Sequence, residues 1–168
     1  ALRGPSAETQ RHDLNLDEQL ERAVDYCERG DFTSALLLSS EVLQRKPSYA
    51  FGYLVRGIVY RRSGDYPRAL EDLTRAIEFD PLLADAYTQR AFVYQQSEKE
   101  GGSQLILADT NRAIALDSTT ALSFILRGNA YTDEGNQQAA VADFDRALLL
   151  SPNSHSALAA RGLSRFLL

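Results

Sequence analysis

An all-α fold built from repeated helix pairs is predicted by three features of the sequence. The phrase GDYPRALEDL at residues 64–73 has near relatives at 30–39 and 135–144, which read GDFTSALLLS and GNQQAAVADF. Five arginines recur with a period of about 34 residues, with one longer interval between the third and the fourth: Arg22, Arg56, Arg90, Arg127 and Arg161. Apolar and small residues recur between them at intervals of three and four, as on one face of an α-helix. A period held over five copies predicts a chain of similar helical units.

Each unit is predicted to hold two helices joined by a short turn. Gly64 can end the first helix, and Asp65 can cap the second through its side-chain oxygen. Pro67 then falls in the first turn, where its missing N–H costs nothing. Pro81 ends the second helix, because the residue before a proline is pushed out of helical conformation. We therefore expect about nine helices, each of about 12 to 15 residues.

The period divides the chain into a tail, four units and a final helix. The tail covers residues 1–15, and the units cover residues 16–49, 50–83, 84–120 and 121–154. Residues 155–168 are predicted to form a final helix or a truncated fifth unit. The third unit carries a three-residue insertion in the segment SEKEGGS. There we expect a longer turn after Tyr94, followed by a second helix from about Ser103 to Leu116 that stays in phase.

The repeated residues resemble the tetratricopeptide repeat. The second unit carries the pattern as Tyr53, Gly57, Tyr60, Ala69, Leu73, Ala76 and Pro81. The fourth carries it as Phe124, Gly128, Tyr131, Ala140, Phe144, Ala147 and Pro152. The resemblance covers residues 16–154, with residues 155–168 as a lone first helix. It implies a right-handed α-solenoid of antiparallel helix pairs, in which the first helix of each pair lines a concave groove.

Composition limits the classes of partner. A net charge of −5 and a pI near 5.1 create no field that attracts phosphate backbones, so nucleic acid is not expected. No run of 18 uncharged apolar residues exists, so no membrane insertion is expected. Cys27 is the single cysteine, which excludes an internal disulfide. A cytoplasmic location is the default expectation.

Catalysis is not predicted, and no cofactor or metal is expected. The reactive side chains are two histidines, His12 in the tail and His155 at the start of the last helix, and Cys27. No set of nucleophile, base and orienting group can be assembled from them. Cys27 is interpreted as a small hydrophobic residue on a helix.

The arginine column has two interpretations, an exposed anion-binding ladder and a structural salt-bridge ladder. Asp72, Asp109 and Asp143 recur in phase with it, and planar guanidinium groups suit fixed carboxylates between helices, so the structural ladder is favoured. Replacing Arg56 or Arg127 with leucine is then expected to leave the fold intact. Removing the acidic partner is expected to cost more, because it strands a half-buried charge.

Many tetratricopeptide repeat proteins bind acidic chaperone tails through a clamp of lysine, asparagine and arginine. The matching positions in this chain hold other residues: Leu20 and Val24 in the first unit, Val55 in the second, Asp85 and Gln89 in the third. The clamp is therefore predicted to be missing.

The function predicted is an interaction scaffold with a largely apolar concave groove. Its partner would be another protein, contributing a peptide or an amphipathic helix. The predicted groove residues are Leu20, Val24, Phe51, Leu54, Val55, Ile58, Arg61, Arg62, Phe92, Gln95, Leu122, Ile125, Leu126 and Asn129. The alternative is a structural assembly module that self-associates or packs within a larger complex, because the last helix ends in RGLSRFLL rather than in a polar cap.

Overall fold

The computed structural model describes residues 15–97 and 102–168. Within these ranges the chain consists of helices and connecting turns, with no β-strand. The predicted all-α fold is confirmed. Residues 1–14, which make up nearly all of the predicted tail, and residues 98–101, where a longer turn was predicted, lie outside the described ranges.

The chain divides between Phe79 and Asp80 into an N-terminal unit and a C-terminal unit. The helices of the N-terminal unit are α1 (Leu16–Glu28), α2 (Phe32–Arg45), α3 (Ala50–Arg62) and α4 (Tyr66–Phe79). Those of the C-terminal unit are α5 (Ala84–Gln96), α6 (Gly102–Leu116), α7 (Ala121–Asp133), α8 (Gln137–Leu150) and α9 (His155–Phe166). In the described ranges the helices are nine in number and 12 to 15 residues long, as predicted.

Consecutive helices pack as hairpins within each unit. In the N-terminal unit α1 packs on α2 and α3 packs on α4, while α3 also contacts α1 and α2. In the C-terminal unit α5 packs on α6 and α7 on α8, while α7 also contacts α5 and α6. Helix α9 packs on α7 and α8. A hairpin of two helices cannot bury its apolar surface alone. Its first helix therefore packs against helices of the neighbouring hairpin as well as against its own partner.

Glycines in the left-handed conformation end the first helices of three hairpins. They are Gly30, Gly64 and Gly135, with φ values of 80°, 85° and 76°. In the second hairpin the N–H of Asp65 donates to the carbonyl oxygen of Tyr60 at 2.8 Å, which closes the helix end. The Asp65 carboxylate then accepts from the N–H of Arg68 at 3.2 Å, which caps the next helix. The predicted roles of this Gly-Asp turn are confirmed.

The three-residue insertion does not disturb the register of the third hairpin. Arg90 Nε lies 2.8 Å from Asp109 Oδ2, although 19 residues separate the pair. Arg127 and Asp143 make the same contact at 2.8 Å across 16 residues. Helix α6 begins at Gly102, one residue earlier than predicted, and stays in phase as predicted.

Candidate functional site

The predicted groove residues of α1 and the middle of α3 are largely core residues. Leu20, Leu54 and Val55 are buried. Leu20 and Val55 belong to one apolar cluster, and Val24 packs against it. The other buried members of that cluster are Ala23, Leu38 and Val42.

The remaining predicted residues of the N-terminal unit lie along α3. Phe51 and Arg62 are exposed, whereas Ile58 and Arg61 are half-buried. Loss of water at its half-buried site, together with the positive charge of Arg62, lowers the pKa of Arg61. Helix α3 therefore carries an exposed aromatic ring near its start and two guanidinium groups at its end.

The predicted groove residues of the C-terminal unit also comprise both buried and half-buried residues. Leu126 is buried in a cluster with Ala91, Ile106 and Ala130, and Phe92 and Leu122 pack against that cluster. Ile125 packs against a second cluster, formed by Phe124, Ala147 and Ala157. Gln95 and Asn129 are half-buried polar residues.

Part of the predicted groove set is buried in this structure. Leu20, Leu54, Val55 and Leu126 are buried and cannot touch a partner in this conformation. The reason is that α3 and α7 each contact their own hairpin partner and both helices of the preceding hairpin, while α1 contacts α2 and α3. Only a narrow side of such a helix is left for solvent.

A cleft of about 210 Å³ opens in the C-terminal unit where α5, α7 and α9 meet. Its lining consists of Gln95, Asn129, Thr132, Asp133, Ala160 and Leu163. Leu163 is 57% exposed, and Asp133 is exposed at the end of α7. The Thr132 hydroxyl donates to the carbonyl oxygen of Gly128 at 3.0 Å, which holds that side chain against its own helix. Two residues with amide side chains, Gln95 and Asn129, thus line the same cleft as an exposed leucine.

Four lining residues of the cleft were not predicted from the sequence: Thr132, Asp133, Ala160 and Leu163. The period contained a signal for one of them, because Leu163 follows Asn129 by one period and therefore occupies the same column on α9. From the sequence alone, Leu163 is only one residue of the segment RGLSRFLL at the end of the last helix. Its contribution to the cleft depends on α9 packing beside α7.

The structural ladder is confirmed for the three middle arginines of the column, which pair with the predicted aspartates: Arg56, Arg90 and Arg127. Arg56 donates through Nε and Nη2 to both oxygens of Asp72, at 2.7 and 2.8 Å. This hydrogen bonding raises the pKa of Arg56. Arg127 makes the same bidentate contact with Asp143. The side chains of Arg56 and Arg127 are only about a fifth exposed, so these guanidinium groups have a structural role.

Sequence profiles of a repeat family match two parts of the chain. A profile described as TPR repeat matches residues 57–97. A profile described as tetratricopeptide repeat matches residues 121–154, which are the bounds predicted for the fourth unit. A comparison with curated proteins gives no match.

Solved structures with similar folds include the second TPR domain of the human RPAP3 protein in complex with the HSP70 peptide SGPTIEEVD. It is 30% identical, with a TM-score of 0.63, over 69% of this chain and 94% of that domain. The chain belongs to the tetratricopeptide repeat (TPR) family. The first TPR of Spaghetti (RPAP3), bound to the HSP90 peptide SRMEEVD, is 25% identical, with a TM-score of 0.65, over 70% and 90% of the two chains. MamA is 22% identical, with a TM-score of 0.75, over 90% and 81%, and shares the fold.

Among the described residues of this TPR protein, Cys27 and His155 could carry other chemistry, and they belong to different units. Cys27 is buried, and that burial raises the pKa of its thiol. His155 is exposed at the start of α9, and His12 lies outside the described residues. Within residues 15–97 and 102–168, no group of three or more His, Cys, Asp or Glu side chains could hold a metal ion. No helix in the same ranges is both long and apolar enough to cross a membrane.

Proposed function

We propose that this TPR protein is an interaction scaffold that binds a segment of a partner protein in the cleft of its C-terminal unit. The observation that carries the proposal is the convergence of Gln95, Asn129 and the exposed Leu163 on one cleft. Amide side chains both donate and accept hydrogen bonds, as a peptide backbone does. An exposed leucine beside them offers an apolar contact for one side chain of the segment. The RPAP3 domains, which are solved with bound peptides, support this class of partner.

The size of the cleft favours a peptide over a small molecule. Its volume of about 210 Å³ lies below the range of about 300–1,000 Å³ that is typical of small-molecule pockets. It suits one or two anchoring side chains of a longer segment. We further infer that the chain is not an enzyme, because Cys27 is buried and neither Cys27 nor His155 lines the cleft.

In the N-terminal unit we propose that a partner contacts the exposed side of α3. Phe51 and Ile58 lie seven residues apart, about two helical turns, and so share a face with Arg62. Arg61 adds a second guanidinium group near the end of that face. These residues are all members of the groove set predicted from the sequence.

We infer that recognition does not use the chaperone-tail clamp. The clamp positions carry no positive charge: Leu20, Val24, Val55, Asp85 and Gln89. In the C-terminal unit, the exposed carboxylates of Asp85 and Asp133 oppose an acidic segment. Titration of the chain with the peptide SRMEEVD should produce no saturable binding. If the peptide binds saturably and Asp85→Lys strengthens that binding only slightly, the inference is wrong.

The cleft can be tested with a phage-displayed library of random 12-residue peptides selected on the immobilised chain. A selected peptide is titrated into the ¹⁵N-labelled chain, and chemical shift changes should centre on the cleft residues. Asn129→Ala and Leu163→Glu should each weaken binding by at least about tenfold, since interface energy is concentrated in few contacts.

Two matched controls lie on α8, away from the cleft. Gln138 and Leu149 are exposed there, and Leu149 is 75% exposed. Gln138→Ala and Leu149→Glu should therefore bind the peptide as the unchanged chain does. Equal binding by the cleft variants and the controls would show that the cleft is not the binding site.

Assembly is a second candidate function, favoured by a specific observation on the last helix. Large apolar side chains are exposed there and just after it: Leu158, Leu163, Phe166, Leu167 and Leu168. Such a concentration of exposed apolar surface marks an interaction site. Sedimentation velocity across a hundredfold range of concentration should then show self-association, and a constant monomer mass would contradict self-assembly by this surface.

A further inference from the structure

The cleft of the C-terminal unit lies where two first helices end. Gln95 belongs to the last turn of α5, and Thr132 and Asp133 belong to the last turn of α7. The C-terminal end of a helix carries about half a negative charge, because the dipoles of its peptide groups are aligned. The lining of the cleft therefore includes residues at the negative ends of two helices.

Asp133 adds a full negative charge at one of these ends. It lines the cleft and is exposed. A carboxylate in the last turn of a helix lowers the stability of that helix, because the helix dipole repels it. Neither α5 nor α7 has a basic residue in its last turn that would offset this charge. A residue that opposes the local rules of stability in this way is typical of a functional site.

The equivalent position in the N-terminal unit carries the opposite charge. Arg62 is the last residue of α3, as Asp133 is the last residue of α7. Arg61 and Arg62 both lie in the last turn of α3, where positive charge is favourable. The fold thus accepts an arginine at this position, and the packing of a hairpin does not require an aspartate there.

No ion pair joins Asp133 to another residue within 15–97 or 102–168. The arginines that form ion pairs in the C-terminal unit hold other aspartates: Arg90 holds Asp109, Arg127 holds Asp143, and Arg161 and Arg165 hold Asp145. Helix α7 contacts α5, α6, α8 and α9, and yet Asp133 remains exposed at its end. Its carboxylate is therefore available to a cation.

An organic cation suits the cleft better than a metal ion does. Among the described residues that line the cleft, Asp133 is the one acidic residue, whereas Ca²⁺ and Mg²⁺ require several oxygen ligands. Gln95, Asn129 and Thr132 supply amide and hydroxyl oxygens, which accept hydrogen bonds from an ammonium or guanidinium group. The lining thus combines one negative charge with neutral acceptors.

We propose that the cleft binds a partner segment through a lysine or arginine side chain, whose charged group contacts Asp133, and a neighbouring apolar side chain, which contacts Ala160 and Leu163. The inference rests on the proposed function of the cleft and adds the charge of the segment that it recognises. A charge-assisted hydrogen bond to the carboxylate fixes the basic side chain. The apolar residue beside it gains from the removal of Leu163 from water.

Charge complementarity selects this segment over an acidic or a neutral one. A glutamate in the same place would be repelled by Asp133 and by the two helix ends. A neutral residue would cover Asp133 and leave its carboxylate without a partner, which is costly for a charge removed from water. A basic residue avoids both costs.

The test uses those 12-residue peptides selected on the chain that cause chemical shift changes at the cleft. They should be enriched in arginine and lysine next to leucine, isoleucine or phenylalanine. When the basic residue of such a peptide is changed to glutamine, calorimetric titration should show binding weakened by at least about fivefold. Cleft-binding peptides that lack a basic residue, or that bind equally well after this change, would overturn the proposal.

A double-mutant cycle identifies the group that holds the cation. Asp133→Asn should weaken the basic peptide by at least about fivefold and the glutamine peptide by less than about twofold. The two changes together should therefore weaken binding little more than either change alone. Losses that multiply would mean that the basic side chain is bound elsewhere, and the contact with Asp133 would be wrong.

Glu134→Gln is the matched control, because it removes the same charge from the next residue. Glu134 is exposed, but it is not among the residues that line the cleft. The control should weaken the basic peptide by less than about twofold, since the carboxylate does not contact it. An equal loss in Glu134→Gln and Asp133→Asn would show that only the general negative field of the unit attracts the peptide.

Asp133→Arg reverses the charge without a change that the fold excludes. Because Arg62 occupies the equivalent position on α3, the variant should stay folded, with an equal or higher melting temperature. It should bind a peptide with glutamate in the basic position more tightly than it binds the original peptide. A melting temperature lowered by both Asp133→Asn and Asp133→Arg would show that Asp133 has a structural role, contrary to the proposal.

Failure of this inference can be distinguished from failure of the proposed function. If Asn129→Ala and Leu163→Glu weaken a peptide and Asp133→Asn does not, the cleft is a binding site, and its preference for a cation is wrong. If no selected peptide shifts the cleft residues, both are wrong. If the chain self-associates and Asp133→Asn abolishes that association, a second copy fills the cleft and the proposed partner segment is wrong.

Discussion

Arg127 and Asp143 form a bidentate ion pair in which the acidic partner is the more deeply buried. Nη2 lies 2.7 Å from Oδ1 and Nε lies 2.8 Å from Oδ2, and the side chains are 20% and 8% exposed. Nη1 of the same arginine bonds to Asn111 Oδ1 at 2.8 Å. The arginine thus joins its own hairpin partner to the second helix of the preceding hairpin. Removing the partner of an ionised group lowers the stability of the fold most where that group is least accessible to water.

Arg127→Leu is expected to destabilise the fold more than Asp143→Leu, which reverses the order expected from the sequence. The arginine variant strands the buried Asp143 carboxylate and should lower the free energy of unfolding by about 2–3 kcal/mol. The aspartate variant leaves a guanidinium group that still reaches water and Asn111, and should cost about 1–2 kcal/mol. Urea denaturation of the two variants and of the double variant measures this. A double variant less stable than Arg127→Leu alone would contradict the explanation.

Gly128→Ala and Gly162→Ala should change stability in opposite directions. A Cβ at Gly128 would lie 2.6 Å from Phe144 Cε1, and Phe144 is fully buried and cannot move aside freely. We expect a loss of about 1–3 kcal/mol from overpacking. At Gly162 the space is open, so alanine should gain up to about 1 kcal/mol through its higher helix propensity. Thermal and urea unfolding of both variants test this, and a stabilised Gly128→Ala would show that the two helices separate easily.

The period of the sequence was sufficient to predict the hairpins, their turns and the arginine ladder. Each of these depends on contacts within one hairpin that recur along the chain. Examples are the left-handed turn at Gly64 and the ion pair between Arg56 and Asp72. The exposure of single groove residues depends on neighbouring hairpins instead. Leu54 and Ile58 are four residues apart, and yet Leu54 is buried and Ile58 is not. Helical spacing predicted a shared face but not how much of that face the adjacent helices cover.

Tyr49→Phe should reduce the loss of stability at alkaline pH. The Tyr49 hydroxyl donates to Asp17, and this bond, followed by burial and the charge of Asp17, raises the pKa of Tyr49 from 10.0 to about 12. A group whose pKa is raised on folding contributes stability that is complete below pH 10 and is lost as the pH rises toward 12. The unchanged chain should therefore lose stability across this window, and Tyr49→Phe should lose less. Parallel pH profiles for the two proteins would contradict a folded-state bond between Tyr49 and Asp17.

Leu54→Glu and Phe51→Glu separate the core side of α3 from its exposed side. Leu54 is 2% exposed, so a glutamate there must bury its carboxylate or disrupt the packing of α3. We expect a loss of at least about 3 kcal/mol in the free energy of unfolding, which is typical of a charge forced into a core. Phe51 is 39% exposed, so its carboxylate can remain in water and the loss should be below about 1 kcal/mol. Urea denaturation must accompany any binding assay, because weakened binding by Leu54→Glu would reflect unfolding. Phe51→Glu tests a contact between partner and α3 without that ambiguity. A Leu54→Glu variant as stable as the unchanged chain would mean that the buried side of α3 opens readily, and Leu54 would then return to the set of residues that can contact a partner.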